Sequence, residues 1–543
     1  MRRKEEENTM QNQPSIRRNF LMNTILRSAN VLFPLITISY VSRILLSSGL
    51  GRVSFATSFI AYFNMAAQLG IPTYGVRACA KVRDDQKELS RVTLELLLLN
   101  LIGTIISYAA IAFCILFIPR VRADGMLFII LSLTVVLNAI GMEWLYQGLE
   151  QYTYITIRSL VFKTVALAAV FLLVHEQEDV LVYAGISIFA SSASNILNFF
   201  HARKYVDLCG VLKRDRSVTL ATTGYGDVGS AEAECGAGRT IADGSEDVRA
   251  GEYQFGDGKT DSGIDLRRHL RPVFILFAMV CAVTVFSNLD EVMLGFIRTD
   301  AEVGIYHAAV RIKIALVDII TALSVVLLPR ASYYVEHRQT EDFLRITDKG
   351  MHFVLLCGAG LTVFFMLYAR ETVLFLFGSE FEASVLPMIM IMPVVLLTGM
   401  TRVMGNQILI PQGREKIVLR SVAAGTAADV VLNTLLIPGL GPVGAVVGTL
   451  AAELVIVLIQ YPKAKTEVGD TVRRLVSWKI AGALAFSIGA SLWVKMLPIG
   501  PLYRLLLSSI LFFAVYIVFL LLTGESMVIV VYNWLIEKIK RVR

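Results

Sequence analysis

Apolar runs of about 20 residues recur along this chain from one end to the other, and that feature leaves few folds open. Each run is long enough to cross a hydrocarbon layer ~30 Å thick as a helix. In lipid every backbone N–H and C=O must find its partner within the protein, so runs of this length read as transmembrane helices. Hydropathy places the first six spans at 20–42, 53–69, 94–118, 126–147, 156–174 and 180–200. Six more fall at 273–297, 303–329, 351–369, 385–411, 418–437 and 443–461, and two last ones at 478–497 and 502–523. Charged residues make up only 17% of the 543 residues, against roughly 25% in soluble domains. A string of soluble domains is therefore excluded. The expected fold is an all-α polytopic membrane protein of about fourteen helices.

The distribution of Lys and Arg orients it. With the N-terminus in the cytoplasm, cytoplasmic segments hold 27 Lys/Arg at and near the span ends, leaving out the long 201–272 connection, and outer segments hold 8. Short-loop cations stay inside, so both termini are expected in the cytoplasm. This asymmetry also explains the net charge of +7 without invoking nucleic acid. The basic start (Arg2, Arg3, Lys4, Arg17, Arg18) leads into the first apolar run without a small-residue cleavage site, so that run reads as a retained span. Six cysteines show neither CxxC nor metal spacing, and no disulfide framework is implied.

The second half echoes the first. Leu50-Gly51-Arg52-Val53-Ser54-Phe55-Ala56 resembles Val303-Gly304-Ile305-Tyr306-His307-Ala308-Ala309, Pro72 with Tyr74 parallels Pro329 with Tyr333, and Gln147-Gly148 before Arg158-Ser159 parallels Gln412-Gly413 before Arg420-Ser421. The offsets are 253, 257 and 265 residues, a drift that small insertions produce. Six spans separate each pair, so both copies enter the membrane in the same direction. Two parallel six-helix bundles plus two C-terminal helices result, an arrangement in which substrate sits between bundles that rock against each other. The expected divisions are a basic tail 1–19, a first bundle 20–207, a connector 208–268, a second bundle 269–463, two added helices 464–523 and an amphipathic tail 524–543 lying on the anionic inner leaflet.

The text of the chain resembles the Wzx-type oligosaccharide flippases of the multidrug/oligosaccharidyl-lipid/polysaccharide (MOP) exporter superfamily. The stretches that carry the resemblance are Asn30–Thr37 through Ser42-Arg43, Leu69–Arg77, Glu143–Glu150, Leu289–Gly295, Leu328–Tyr333 and Asn406–Pro411. It covers nearly the whole chain apart from residues 208–268. It implies a flippase that carries polyprenyl-diphosphate-linked oligosaccharide across the plasma membrane for surface polysaccharide synthesis. Membrane lipids, a polysaccharide polymerase and H+ or Na+ as coupling ion are the partners implied. A cation-coupled multidrug exporter and a lipid-linked peptidoglycan precursor flippase of the same superfamily are the alternatives.

Charges within the spans are the candidate site, because each costs several kcal/mol unless paired or hydrated. Arg27 lies seven residues into the first span and Lys163 at similar depth in the fifth, with Glu143 near the inner end of the fourth. In the second bundle, Asp290 and Arg311 are expected at one depth on adjacent antiparallel spans, with Glu291 and Lys313 beside them. Arg402, Asp429 and Glu453 fall nearer the midplane. Two readings stay open: the acids at 290 and 291 brace the cations at 311 and 313, or all face a hydrated cavity. In the second, Arg27, Arg311, Lys313 and Arg402 bind an anionic head group, while Glu143, Asp290, Glu291 and Glu453 serve as coupling or cavity carboxylates. Arg27 leads because the first half offers it few acidic neighbours, and an arginine fork suits phosphate oxygens.

Thr222-Thr223-Gly224-Tyr225-Gly226-Asp227 spells a potassium-filter pattern, but Lys213-Arg214-Asp215-Arg216 precedes it and no apolar span closes the hairpin that a filter requires. The Gly-rich, acidic stretch around it reads as disordered. His307, in an apolar run, reads as a satisfied packing residue. No nucleophile–base arrangement, phosphate loop, metal cluster or cofactor motif is present, so no enzyme is expected.

Overall fold

The computed structural model describes residues 16–208, 210–211, 264–475 and 478–542, and every regular element among them is helical. Residues 212–263 of the connector expected at 208–268, with its filter-like stretch, lie outside the described residues. Helix α1 (Ile16–Gln68) is 53 residues long. At ~1.5 Å per residue that is far more than one membrane crossing. It breaks at Leu46 (φ 57°), so the legs 16–45 and 47–68 make two crossings, and the break defines what we term the kink side. The opposite face, where the two ends of the connector lie, is the connector side.

Helices α2 (Ile71–Lys81), α3 (Gln86–Phe117), α4 (Gly125–Gly141), α5 (Glu143–Gly148), α6 (Tyr152–Leu173), α7 (Val180–Ile188) and α8 (Ser194–His201) complete the first bundle. The second comprises α9 (Arg267–Ile297), α10 (Asp300–Glu336), α11 (Thr340–Leu367), α12 (Ala369–Leu376), α13 (Val385–Arg402), α14 (Glu415–Leu440) and α15 (Pro442–Leu475). Then come α16 (Trp478–Leu492), α17 (Pro501–Leu522) and the tail helix α18 (Ser526–Val542). Twelve described helices are long and apolar enough to cross a membrane. Counting the two legs of α1 separately and adding the 37-residue α10 gives the expected fourteen. Helices α16 and α17 pack on α11, where Tyr516 donates to the Leu356 carbonyl at 2.9 Å and Phe364 meets Phe512 at 5.4 Å.

The repeat is visible where the bundles touch. A Cβ on Gly51 would lie 1.8 Å from the Asp300 carbonyl oxygen, and one on Gly304 would lie 2.0 Å from the Ser47 carbonyl oxygen. At the offset of 253, residue 51 corresponds to 304 and residue 47 to 300. The two contacts are thus images of each other about a local two-fold axis. Without a hydrophobic driving force between helices in lipid, such close backbone approach at small residues is what packs them.

One apolar core spans both bundles and includes Phe55, Phe59 and Phe128 from the first with Val303, Phe377 and Phe381 from the second. Towards the connector side the packing divides. Ile71, Leu96 and Trp144 form one core, while Met351, Val354 and Ile408 form another. Ion pairs strengthen the kink-side closure: Arg120 of the first bundle bonds Asp300 and donates to the Gly295 carbonyl at 2.9 Å.

Helix α9 belongs to both bundles. Near its start, the fully buried Glu95 of α3 accepts from Arg268 at 2.9 Å, shares a 2.7 Å hydrogen bond with His269 and accepts from the Asp265 amide at 2.9 Å. Its last turns bond to α14 and α15 of the second bundle. Of the twelve apolar spans it has the smallest buried share.

Candidate functional site

A cavity of about 500 Å³ opens inside the first bundle, between both legs of α1, α5, α6 and the α7–α8 span. Its walls are mainly apolar or hydroxylic, among them Phe33, Thr37, Thr57, Ser187 and Ser191. Three cations and one carboxylate line it: Arg158, Lys163, Arg311 and Glu143. Arg158 is nearly buried, 4.0 Å from Glu143, and donates to the Ser194 carbonyl at 3.3 Å. Lys163 donates to the Asn30 side-chain oxygen. Arg311 alone comes from the second bundle, and among the described residues it has neither an ion pair nor a hydrogen bond. One carboxylate against three cations leaves the cavity positive.

The side chain of Arg27, the leading candidate from the sequence, lies outside the described residues, although its backbone is on α1. Lys313 and Arg402 are not in this cavity. They lie within electrostatic range of Glu453, which is 5% exposed and accepts from Thr398 at 2.8 Å.

The pairing of Asp290 and Glu291 with Arg311 and Lys313 is not formed. The reason is register. Thr299 caps α10 in a reciprocal box with Glu302, so the helix begins at Asp300 rather than 303. Arg311 is then eleven residues in, ~16 Å deep, whereas Asp290 is seven residues from the end of α9, ~10 Å deep. Tyr306 and His307 occupy the level expected for the cations. Asp290 accepts from Tyr306, from Thr449 of α15 at 2.6 Å and from the Asn433 amide of α14 at 2.6 Å. The same Asn433 nitrogen bonds Asp429 at 3.1 Å, joining two buried carboxylates through one amide. Among the described residues, the second oxygen of Asp429 and the Asn433 side-chain oxygen are buried without a hydrogen-bond partner.

Glu291, one residue on, points about 100° away around the helix and meets the other bundle. It accepts from Ser54 at 2.6 Å and from Ser58, both on α1, and shares a 2.8 Å hydrogen bond with His307. Sequence reasoning missed Ser54, Ser58, Tyr306, Asn433 and Thr449, and counted Arg158 as a loop-end charge. The spacing of Asp429 and Asn433, four apart on one helical face, is the signal that could have linked the last of these acids to an amide.

Two parallel helix bundles joined at one side, with a charged cavity near their seam, define an exporter of the MOP fold. Solved structures that share it include the following two. The lipid II flippase MurJ in an inward closed conformation superposes with a TM-score of 0.60 at 14% identity, covering 92% of this chain and all of that one. A multidrug resistance MATE family transporter in an inward-facing conformation gives 0.56 at 12% identity, covering 83% of this chain and 99% of that one. Two family models described as polysaccharide biosynthesis protein match residues 16–222 and 266–386, together more than half of the chain. The chain belongs to this polysaccharide-transporter family of the MOP superfamily and is a multi-pass membrane transporter. A protein of Escherichia coli (strain K12) with the provisional name O-antigen transporter is 21% identical over 445 residues, 82% of this chain and 95% of that protein. One of Shigella dysenteriae with the same provisional name is 20% identical over 452 residues, 83% of this chain and all of that protein.

Proposed function

We propose that this transporter flips a polyprenyl-diphosphate-linked oligosaccharide from the cytoplasmic to the outer leaflet of a bacterial plasma membrane. The observation that carries the reading is Arg311, a guanidinium without an ion pair or hydrogen bond among the described residues, which the second bundle extends into the cavity of the first. A half-buried cation within the membrane that has no partner among the described residues is costly, and a diphosphate supplies that partner with two forked, charge-assisted hydrogen bonds. Arg158 and Lys163 add positive charge beside it. Glycan hydroxyls suit the Thr and Ser walls, while the polyprenyl chain stays in lipid. Because Arg311 and the other lining groups lie on different bundles, a bound diphosphate bridges the parts that must rock. No bond is made or broken, and the transfer is a change of access.

The carboxylates at 290 and 429 suit coupling. Two carboxylates sharing one amide within the membrane repel each other, Lys313 offsets part of that charge from a distance, and a proton or cation between them would offset the rest. A proton or Na+ there is the coupling ion of this reading. The connector side is then cytoplasmic. A lipid-linked peptidoglycan precursor presents the same diphosphate, and a cationic drug would meet repulsion from the three cavity cations. Loss of the protein should leave lipid-linked oligosaccharide on the cytoplasmic leaflet, measured by its accessibility to an impermeant glycan-oxidising reagent in oriented vesicles. Unchanged transfer, or rescue of peptidoglycan precursor export instead, would overturn the reading.

A further inference from the structure

The bundle contact holds a second polar cluster that the cavity chemistry does not use. At the offset of 253, Ser54 corresponds to His307, and these two equivalent positions face each other across the local two-fold at 2.7 Å. Glu291 caps them and breaks the symmetry, since its equivalent in the first copy is the buried, apolar Ile38. One oxygen of Glu291 accepts from both Ser54 and Ser58, and the other bonds His307. The cluster sits one turn from the Gly51 and Gly304 contacts, where the kink side is closed.

We propose that Glu291 is a positioning residue that locks the kink side shut through Ser54 and Ser58 and links that lock to the carboxylate pocket at Asp290. Opening the kink side requires α1 to leave α10, and therefore requires the Glu291 carboxylate to give up both hydroxyl donors. A charged carboxylate accepts all three hydrogen bonds at once. Charged acceptors make the stronger hydrogen bonds, so the carboxylate holds both hydroxyls more firmly than a neutral group in its place would. The ionisable groups facing Glu291 are His307 on α10, Tyr62 on α1 and Asp290 beside it on α9. Asp290 is the link. Residues 290 and 291 are consecutive on one helix, the first bound to α14 and α15 and the second to α1. A shift of Asp290 as its pocket fills or empties necessarily moves Glu291 against the serines.

This inference rests on the alternating-access part of the proposed function but not on its cargo. The test uses spin labels at Ala123→Cys and Gly439→Cys, both exposed near the kink side on opposite bundles, in a full-length variant whose native cysteines are replaced. Inter-label distances are measured in lipid nanodiscs without substrate. Ser54→Ala with Ser58→Ala should raise the ratio of open to closed kink-side populations about tenfold, equivalent to about 1.4 kcal/mol. Glu291→Gln, close in shape and expected to fold, should do the same, because a neutral amide oxygen is a weaker acceptor for the two hydroxyls than a carboxylate. Asp290→Asn should alter the populations in the parent but not in the Glu291→Gln background. Distances unchanged in both folded lock variants would overturn the proposal. Shifted distances with no oligosaccharide transfer would leave the lock standing and count against the cargo.

Discussion

Removing the Arg311 guanidinium separates binding from architecture better than any other change to the cavity. Its side chain has no hydrogen bond or ion pair among the described residues, so Arg311→Ala orphans no protein group. Hydrogen bonds to a charged group contribute about 1.5–3 kcal/mol, and losing one such contact to diphosphate should lower apparent affinity roughly 10- to 150-fold. Arg311→Lys keeps a point charge without the fork, so its loss should be at the lower end of that range. Proteoliposomes loaded with a lipid-linked oligosaccharide allow KM and the maximal transfer rate to be read separately, and the expected effect is on KM. Size-exclusion yield and thermal unfolding should match the parent protein. Arg158→Ala is the contrast, because it strips a donor from the buried Ser194 carbonyl and the neighbour from Glu143, and folded yield should fall. Normal KM in Arg311→Ala, or a loss of folded protein as large as that of Arg158→Ala, would refute the assignment.

Gly51→Ala and Gly304→Ala should each wedge the bundles apart, since the new Cβ would sit 1.8 or 2.0 Å from a carbonyl oxygen. An overpacking cost of about 1–3 kcal/mol is expected, seen as a lower Tm in detergent; an unchanged Tm would mean that the helices separate freely. Glu95→Gln should destabilise by about 3 kcal/mol, because Arg268 and His269 lose a buried charged partner, and limited proteolysis near residue 265 should accelerate. Asp429→Asn supplies an N–H where an acceptor is orphaned, so stability should hold or rise while dependence of transport on a proton or Na+ gradient disappears. Gradient-dependent transport in that variant would exclude Asp429 from coupling.

Much of the fold was legible because a membrane forces backbone satisfaction within each span and so ties helix number to apolar length. The repeat was legible for a related reason: Gly51 and Gly304 mark positions where backbones touch, and only glycine fits there. Other features resist reading from spacing. The turn between the first two spans was legible, but its break falls at Leu46, ahead of Gly49 and Gly51, and α9 divides its packing between bundles through Glu95, whose partners at 265, 268 and 269 lie 170 or more residues away. The start of α10 turned on the Thr299 cap, and a shift of three residues there moved Arg311 a turn deeper, away from Asp290.

The candidate site was less legible because it lies where the repeat is broken rather than where it is kept. At the offset of 253, Thr37 corresponds to Asp290, Ile38 to Glu291, Ser54 to His307 and Ser58 to Arg311. The first copy carries hydroxyl or apolar groups at each place, and the second carries a charge or an imidazole. Placed across a two-fold contact, these unlike pairs create the polarity that identical copies would cancel: Ser54 and Ser58 donate to Glu291, and Arg311 reaches the cavity that Thr37 lines. A symmetric pair of bundles has no reason to prefer closure at one face when an ion arrives in one half. With the charges at these four positions confined to the second copy, an ion held by Asp290 and Asp429 would act on one bundle and be felt by the other through Glu291. The same asymmetry aims the unpaired Arg311 at the first bundle's cavity, so cargo and coupling ion would meet opposite faces of one helix pair, α9 and α10.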